Sequence, residues 1–224
     1  MARETAEHAE RRPLTRELIV RTSITLIERD GAKALSMRRI AAELGVGVMS
    51  LYNHVPNKDA LLGAVAESVL AGLDVLDADA GPGLDWKRSA RALVAAFRAI
   101  ARRYPRTTHL VLTSSTGQTF GWRTTEQALA VFDAAGFDGA TSVHAFRALM
   151  SYVIGAQMLE GGALTIPGRL PGDLTALRLE VDPAEIPHVV EAADELTRPD
   201  LEPDFECGLE MLLDALDRLP RKAR

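Results

Sequence analysis

The pattern over residues 36–62, SMRRIAAELGVGVMSLYNHVPNKDALL, constrains the fold more than any other part of the chain. Its first half predicts a short helix that ends at Gly45, where glycine adopts a left-handed backbone at little cost. Its second half predicts another short helix, in which Leu51, Tyr52 and Val55 follow the segment GVMS. Two short helices joined by a tight turn form a helix-turn-helix, which presents its second helix to the major groove of DNA.

The rest of the sequence predicts helices and no strands. Apolar residues recur at helical spacing, and no convincing alternation with a period of two is present. Breaker residues mark two loops, at residues 78–84 and 161–183. Further helices are predicted at residues 14–30, 57–77, 85–104, 107–112, 122–135, 138–160, 183–196 and 204–219. The fold class is therefore all-α.

Several residues predict where these helices begin and end. Asn57 and Asp85 are suited to be N-caps, because a short polar side chain can bond a free N–H in the first helical turn. Gly31, Pro105 and Gly136 are suited to end helices.

Charge divides the chain into two parts. Residues 1–60 hold 10 Lys or Arg and 8 Asp or Glu, a net charge of +2, and residues 61–224 hold 16 and 23, a net charge of −7. Together they give the net charge of −5 for all 224 residues. This asymmetry favours a weakly basic DNA-binding domain at 1–60 attached to an acidic helical domain at 61–224.

Two predicted helices are apolar over more than one face. The helix at 138–160 has only Arg147 as a charged residue before Glu160, and the helix at 204–219 is similarly broad in its apolar surface. We expect both to pack against their copies in a four-helix bundle, which makes the protein a homodimer. The alternative is a large core within a monomer.

Enzyme classes find little support in the sequence. It contains no HExxH pattern, no paired CxxC and no glycine-rich phosphate loop after a strand. Cys207 lies among apolar neighbours, so we expect a buried, inert thiol. A polar beginning without a signal peptide, apolar runs too short for a membrane span and a lone cysteine predict a cytoplasmic protein.

The motifs LG at 44–45, LYNHV at 51–55 and NKDALL at 57–62 resemble the DNA-binding region of the TetR family of bacterial repressors. The segments AAGF at 134–137 and FECGLEMLLDALDRL at 205–219 resemble the tetracycline-repressor-like branch of that family. The resemblance implies a three-helix domain that reads a palindromic operator and a larger helical domain that dimerises and binds a small molecule. Binding of that effector releases the protein from DNA.

The same resemblance implies roles at the DNA for individual residues. Arg38 matches a residue that reaches a guanine, whose two acceptors fit the arginine fork. Ser36 is expected as an N-cap close to a phosphate, and Tyr52 can set its ring against a base or a phosphate. Positions on the second helix and at the start of the next one match base and backbone contacts: Val48, Met49, Ser50, His54, Asn57 and Lys58.

For some of these residues, other roles remain open. Tyr52 could pack against the first helix, and His54 could make an ordinary hydrogen bond. Arg39 is expected at a phosphate or in solvent. The arm with Arg11, Arg12 and Arg16 could reach the minor groove or remain solvated.

For the effector, the resemblance places a pocket among the helices of the larger domain. Such pockets are mostly apolar with a few polar groups, so His109 and Gln157 are the preferred polar contacts. The expected lining residues, with Trp86 as a further candidate, are Leu93, Phe97, His109, Trp122, Phe146, Met150, Gln157 and Glu160.

Three drug-anchoring polar positions of the tetracycline repressor are apolar here. Leu73 stands in place of a histidine, Leu93 of an asparagine and Ala128 of a glutamine. Each unpaired polar group of a ligand would lose roughly 1–3 kcal/mol. We therefore expect a more apolar effector, with no cofactor and no obligatory metal, although a metal site formed by His109 and Glu160 remains an alternative.

Together, these observations predict a homodimeric repressor that a small, largely apolar effector releases from its operator. The expected partners are double-stranded DNA, the effector and a second copy of the chain, and no membrane. An effector-independent DNA-binding regulator or activator is the alternative.

Overall fold

The computed structural model describes residues 13–73, 85–114, 122–160, 182–196 and 200–222. These ranges are helical and contain no strand, which confirms the all-α prediction. Arg11, Arg12, the predicted loop at 78–84 and all but the last two residues of the loop at 161–183 lie outside the described residues.

Eleven α-helices are present in the described ranges. Short 3₁₀ turns lie at Ala32–Ala34, Ala71–Leu73 and Pro183–Glu185. The helices are α1 (Arg16–Asp30), α2 (Met37–Leu44), α3 (Val48–Tyr52), α4 (Lys58–Leu70), α5 (Trp86–Arg103), α6 (Pro105–Thr113), α7 (Trp122–Ala134), α8 (Gly139–Glu160), α9 (Pro187–Glu191), α10 (Ala193–Leu196) and α11 (Glu202–Asp217).

The chain forms two compact units. The first unit comprises residues 1–74 and 99–124, and the second comprises 75–98 and 125–224. The first therefore joins α1 to α4 with the end of α5 and with α6. The second holds most of α5, α7 from Thr125 onward and the helices that follow it.

Apolar side chains from five helices form the core of the first unit. Ile19 and Ile27 of α1, Ile40 of α2, Leu51 of α3 and Leu61 of α4 are completely buried. Val111 of α6 belongs to the same cluster. This core fixes α2 and α3 against α1 and α4, so the direction of α3 follows from buried apolar contacts.

The caps expected from the sequence are present. Backbone N–H groups donate to Ser36 Oγ and Asn57 Oδ1 at the starts of α2 and α4, and the N–H of Lys87 donates to Asp85 Oδ1 at 3.0 Å. Gly45 ends α2 with φ 65° and ψ 31°, and Gly136 follows α7 with φ 84°. These terminations confirm the helix boundaries predicted around both glycines.

Aromatic packing organises the second unit. The ring centroids of Trp86, Phe132 and Phe137 lie 5.6–5.9 Å apart, and the Trp86 indole donates to Asp217 at 3.1 Å. After α11 the chain returns to α7, where the Arg221 guanidinium lies 3.6 Å from the centre of the Phe137 ring. Trp86 is therefore part of this aromatic cluster.

Two local predictions were wrong. Residues 183–196 do not form one helix but a 3₁₀ turn followed by α9 and α10, because Pro187 lacks an N–H and begins a new helix. Cys207 is exposed on α11 in the chain, not buried. The apolar neighbours in its sequence lie on other faces of the helix, where Phe205 and Leu209 are buried.

Candidate nucleic-acid interface and effector residues

The short helix α3 has one buried face and one exposed face. Leu51 is completely buried and Val55, just after the helix, is 1% exposed. Met49 and Tyr52, in contrast, are 76% and 41% exposed, although both are large and partly apolar. Tyr52 is therefore not buried against α2, and both side chains are available to a partner.

Helix α2, which packs against α3, begins at a capping serine. The backbone N–H of Arg39 donates to Ser36 Oγ at 3.3 Å, so Ser36 is the N-cap expected from the sequence. The Arg38 side chain is exposed and makes no hydrogen bond or ion pair with any described residue. Arg39 instead donates to Asp30 Oδ2 at 2.6 Å, a protein contact that the sequence did not predict.

A network of ion pairs fixes α2 relative to the end of α1. The Arg29 guanidinium donates to both carboxylate oxygens of Glu43, at 3.0 and 3.1 Å, and also to Asp30. The hydrogen bond from Arg29 lowers the pKa of Glu43. Because these groups are exposed, the network orients the helices more than it stabilises them.

The start of α4 places three predicted backbone-contacting residues together. Asn57 Oδ1 accepts the N–H of Ala60 at 2.7 Å, and Lys58 and His54 are exposed nearby in sequence. A helix N-terminus and a lysine both favour a negative charge. Arg16 is paired with Glu67 at 3.2 Å, so this residue of the predicted arm has a partner within the chain.

The predicted effector residues are divided between the units. His109 and Trp122 lie in the first unit, where both are exposed. In the second unit Phe97 is 5% exposed. Four others there are half-buried: Leu93, Phe146, Met150 and Gln157.

Glu160, the last of the predicted effector residues, contacts a buried arginine. Its carboxylate accepts from Arg98 Nη2, and the same guanidinium donates to both oxygens of Glu202 at 2.7 and 2.9 Å. Arg98 also lies 3.5 Å from the centre of the Phe205 ring. Arg98 was not among the residues predicted from the sequence, although its position on the apolar side of α5, one residue after Phe97, could have revealed it.

Gln157 has an unsatisfied polar atom. Its Oε1 is buried and accepts no hydrogen bond from the described residues. Buried amide oxygens are usually bonded to protein or water, and an exception calls for an explanation such as a ligand.

Within the described ranges, no group of three or more His, Cys, Asp or Glu side chains is arranged to hold a metal ion. None of the helices described is both long enough and apolar enough to cross a membrane.

Comparison with known proteins gives one consistent family. Residues 19–65 match the bacterial regulatory proteins of the tetR family, and residues 80–219 match the tetracyclin repressor-like C-terminal domain. The second match alone covers more than half of the chain.

Individual relatives are consistent with the same family. An HTH-type transcriptional regulator of Saccharopolyspora erythraea is 32% identical over 147 residues, 66% of this chain and 61% of that protein, so the chain spans about three fifths of its length. The tetracycline repressor class A from transposon 1721 of Escherichia coli is 27% identical over 205 residues, 88% of each protein. The crystal structure of the Streptomyces coelicolor TetR family protein ActR in complex with (S)-DNPA has the same fold, with a TM-score of 0.71 at 24% identity over 92% of this chain and 98% of that one.

Helix α3 thus exposes Met49 and Tyr52 from a helix-turn-helix core. The chain that contains it matches the same family of regulators over residues 19–65 and 80–219. The chain belongs to the TetR family of transcriptional regulators, with the family's N-terminal helix-turn-helix domain and a tetracyclin repressor-like C-terminal domain.

Proposed function

We propose that the protein is a homodimeric repressor that binds a palindromic operator and leaves it when a small, largely apolar effector binds. The observation that carries the proposal is the exposure of Met49 (76%) and Tyr52 (41%) on a helix whose Leu51 is completely buried. Exposing large apolar groups to water is unfavourable unless a partner covers them. The base edges of a major groove, with their thymine methyl groups, are such a partner.

The residues around α3 supply complementary contacts. Val48, Met49 and Ser50 are short or apolar and suit thymine methyl groups more than directional hydrogen bonds. Arg38 makes no hydrogen bond or ion pair with any described residue, so its guanidinium can donate to the two acceptors of a guanine. Ser36, His54, Asn57 and Lys58 suit phosphates, which fix register without reading sequence.

The matched pair Arg38 and Arg39 tests this assignment. A duplex is first selected from a random pool by the full-length protein, and its affinity is measured by fluorescence anisotropy. Arg38→Ala should weaken binding by roughly 1–3 kcal/mol and relax the preference at one base pair. Arg39→Ala should change affinity little, because Asp30 already holds that side chain. Equal effects of the two variants would refute the guanine contact.

The salt dependence tests the phosphate contacts separately. Lys58→Ala should weaken binding evenly across sequences and reduce the slope of log K against log salt by about one unit. The exposed Lys33→Ala, on the 3₁₀ turn after α1, is the control. An unchanged slope in Lys58→Ala would remove Lys58 from the interface.

Dimerisation is supported by exposed apolar surface on α11. Met211 is 67% exposed although Leu209 and Leu213 on the same helix are buried. Helix α8 is apolar over several faces, as expected for an element of a bundle between subunits. Met211→Glu should shift the sedimentation velocity profile from dimer toward monomer, whereas Asp204→Lys on the same helix should not. A monomeric wild-type protein would contradict the proposal.

The effector is proposed to be largely apolar with one polar anchor. The half-buried Leu93, Phe146 and Met150 suit an apolar ligand, and the unpaired Gln157 Oε1 suits one hydrogen-bond donor. Phe97, His109, Trp122 and Glu160 remain proposed contacts. A compound panel should contain ligands that release the selected duplex, and Gln157→Leu should weaken that release about tenfold. Release by micromolar magnesium–tetracycline would refute the apolar character.

The two domains have separate roles in the proposed function. Residues 1–60 read DNA, and residues 61–224 dimerise and hold the effector. Such a regulator acts on the chromosome in the cytoplasm and needs no catalytic group.

A further inference from the structure

The end of α1 and one face of α2 carry four charged side chains that pair with each other. Arg29 donates to both carboxylate oxygens of Glu43, at 3.0 and 3.1 Å, and to Asp30 Oδ2 at 3.1 Å. Arg39 donates to the same Asp30 oxygen at 2.6 Å. This charged cluster therefore holds two positive and two negative groups, and Asp30 accepts from both guanidinium groups.

The two carboxylates of the charged cluster differ in what they hold. Arg39 and Glu43 lie four residues apart on α2, so both lie on the face that meets the end of α1. Glu43 accepts from Arg29, whereas Asp30 is the one described residue that pairs with the Arg39 guanidinium. Glu43 and Asp30 thus carry the same charge in the same cluster, but only Asp30 holds the Arg39 side chain.

Arg39 lies beside residues that are proposed to contact DNA. Its backbone N–H donates to Ser36 Oγ at 3.3 Å, and Ser36 is proposed to lie close to a phosphate. Arg38, the proposed guanine contact, directly precedes it. The paired Arg39 side chain is still 48% exposed, and that of Asp30 is 24% exposed. A guanidinium offers paired N–H donors that fit a phosphate, so Arg39 would suit the DNA backbone if Asp30 did not bind it.

We infer that Asp30 lowers the affinity for DNA of any sequence by holding Arg39 away from the phosphates. The carboxylate occupies donors of Arg39 and compensates its positive charge. Sequence-independent affinity comes from cations that neutralise phosphates, so withdrawing one arginine per subunit lowers that affinity. The inference rests on the proposed function, in which the first turn of α2 approaches the DNA backbone. Asp30 is a positioning residue, because it acts through Arg39.

The affinity of the full-length protein for a scrambled duplex, with the length and composition of the selected one, tests the inference. Asp30→Ala releases Arg39, so binding at low salt should tighten. The slope of log K against log salt should steepen by about 0.9 for each phosphate that Arg39 reaches. A roughly fourfold rise in salt should then cost about 3.5-fold more affinity for each such contact than in the wild type. A wild-type affinity and slope in Asp30→Ala would overturn the inference.

Glu43→Ala is the matched control, because it removes the same charge from the same cluster but leaves Arg39 paired with Asp30. Its salt slope should remain that of the wild type, and equal gains in Glu43→Ala and Asp30→Ala would overturn the inference in favour of a net-charge effect. The double variant Asp30→Ala/Arg39→Ala should return to the wild-type slope, and a gain that survives the loss of Arg39 would also overturn it. If Asp30→Ala loses its helical circular dichroism signal, Asp30→Asn replaces it with the same expectations.

The selected duplex separates this inference from the proposed function. Wild-type protein that binds neither the selected nor the scrambled duplex would refute the proposed function. Wild-type protein that binds the selected duplex, together with an Asp30→Ala variant whose binding of the scrambled duplex is unchanged, would refute the inference alone.

Discussion

Removing Arg98 tests how the second unit holds α5, α8 and α11 together. The Arg98 side chain is 6% exposed, whereas those of Glu160 and Glu202 are 17% and 42% exposed. Arg98→Met keeps an unbranched apolar side chain in the site but removes the positive charge. Glu160 then stays largely buried without the guanidinium that neutralises it.

The magnitude follows from that burial. Removing one partner of a buried ion pair costs about 3–5 kcal/mol, because the remaining buried charge loses the counter-charge that compensates its desolvation. The lost stacking of the guanidinium on Phe205 adds about 0.5–2 kcal/mol. Glu202 contributes less, because its side chain is 42% exposed to water. We expect Arg98→Met to lose about 3.5–7 kcal/mol of unfolding free energy in total.

Arg91 is the matched control on the same helix. It pairs with Glu206 at 3.2 Å and with Glu210, and both carboxylates are more than half exposed. Arg91→Met should therefore cost only about 0–1 kcal/mol.

The assay is urea unfolding followed by circular dichroism, with all proteins at one concentration because dimerisation shifts the midpoint. The double variant Arg98→Met/Glu160→Gln should recover part of the loss, since it also removes the buried negative charge that the guanidinium compensates. Equal costs for Arg98→Met and Arg91→Met would refute the reasoning from burial.

Three further predictions concern single positions. Gly45→Ala should destabilise the protein by about 1 kcal/mol in thermal unfolding, because the backbone at this position is left-handed with φ 65°. Gly47→Ala, where φ is −69°, should be nearly neutral. Equal effects of the two variants would show that position 45 does not require a left-handed backbone. Gly208→Ala should destabilise α11 although alanine has the better helix propensity, because the new Cβ would lie 2.9 Å from Tyr152 Cζ. A gain in melting temperature would show that Tyr152 does not crowd this position. The hydrogen bond from Trp86 lowers the pKa of Asp217 below its ordinary value of 3.8. The ionised carboxylate therefore stabilises the fold above pH 3.8, and this stabilisation is lost as the pH falls through the lower pKa of the folded state. Asp217→Asn should flatten the acid side of a curve of unfolding free energy against pH, and an unchanged acid side would refute a contribution of Asp217 to acid sensitivity.

Local signals in the sequence were enough to predict the helices of the first unit. The caps at Ser36 and Asn57 and the glycine at Gly45 depend on residues at most four positions away, so periodicity and cap chemistry identify them. The exposure of Met49 beside the buried Leu51 follows from the same periodicity.

Contacts between distant segments could not be predicted in this way. Arg98 and Glu202 are 104 residues apart, and Glu28 and Thr107 are 79 apart. An arginine on an apolar helix face indicates that some partner exists but does not identify it. Arg39 was likewise expected at a phosphate or in solvent, and nothing within its own helix indicated Asp30.

The predicted Cys207 burial failed for a related reason. Apolar neighbours in sequence point to several faces of a helix, and only three-dimensional packing decides which face is covered. The predicted effector residues are divided between the two units, and their assignment stays a prediction.

Hydroxyl-radical footprinting of the selected duplex tests whether a dimer reads DNA through α3, since it reports where α3 from each subunit approaches the DNA backbone. We expect two symmetric protected patches about 10 base pairs apart or in an overlapping geometry. Both patches should be lost together in Tyr52→Ala at protein concentrations that saturate binding by the wild type. A single asymmetric patch, or protection that Tyr52→Ala leaves intact, would contradict a dimer that reads DNA through α3.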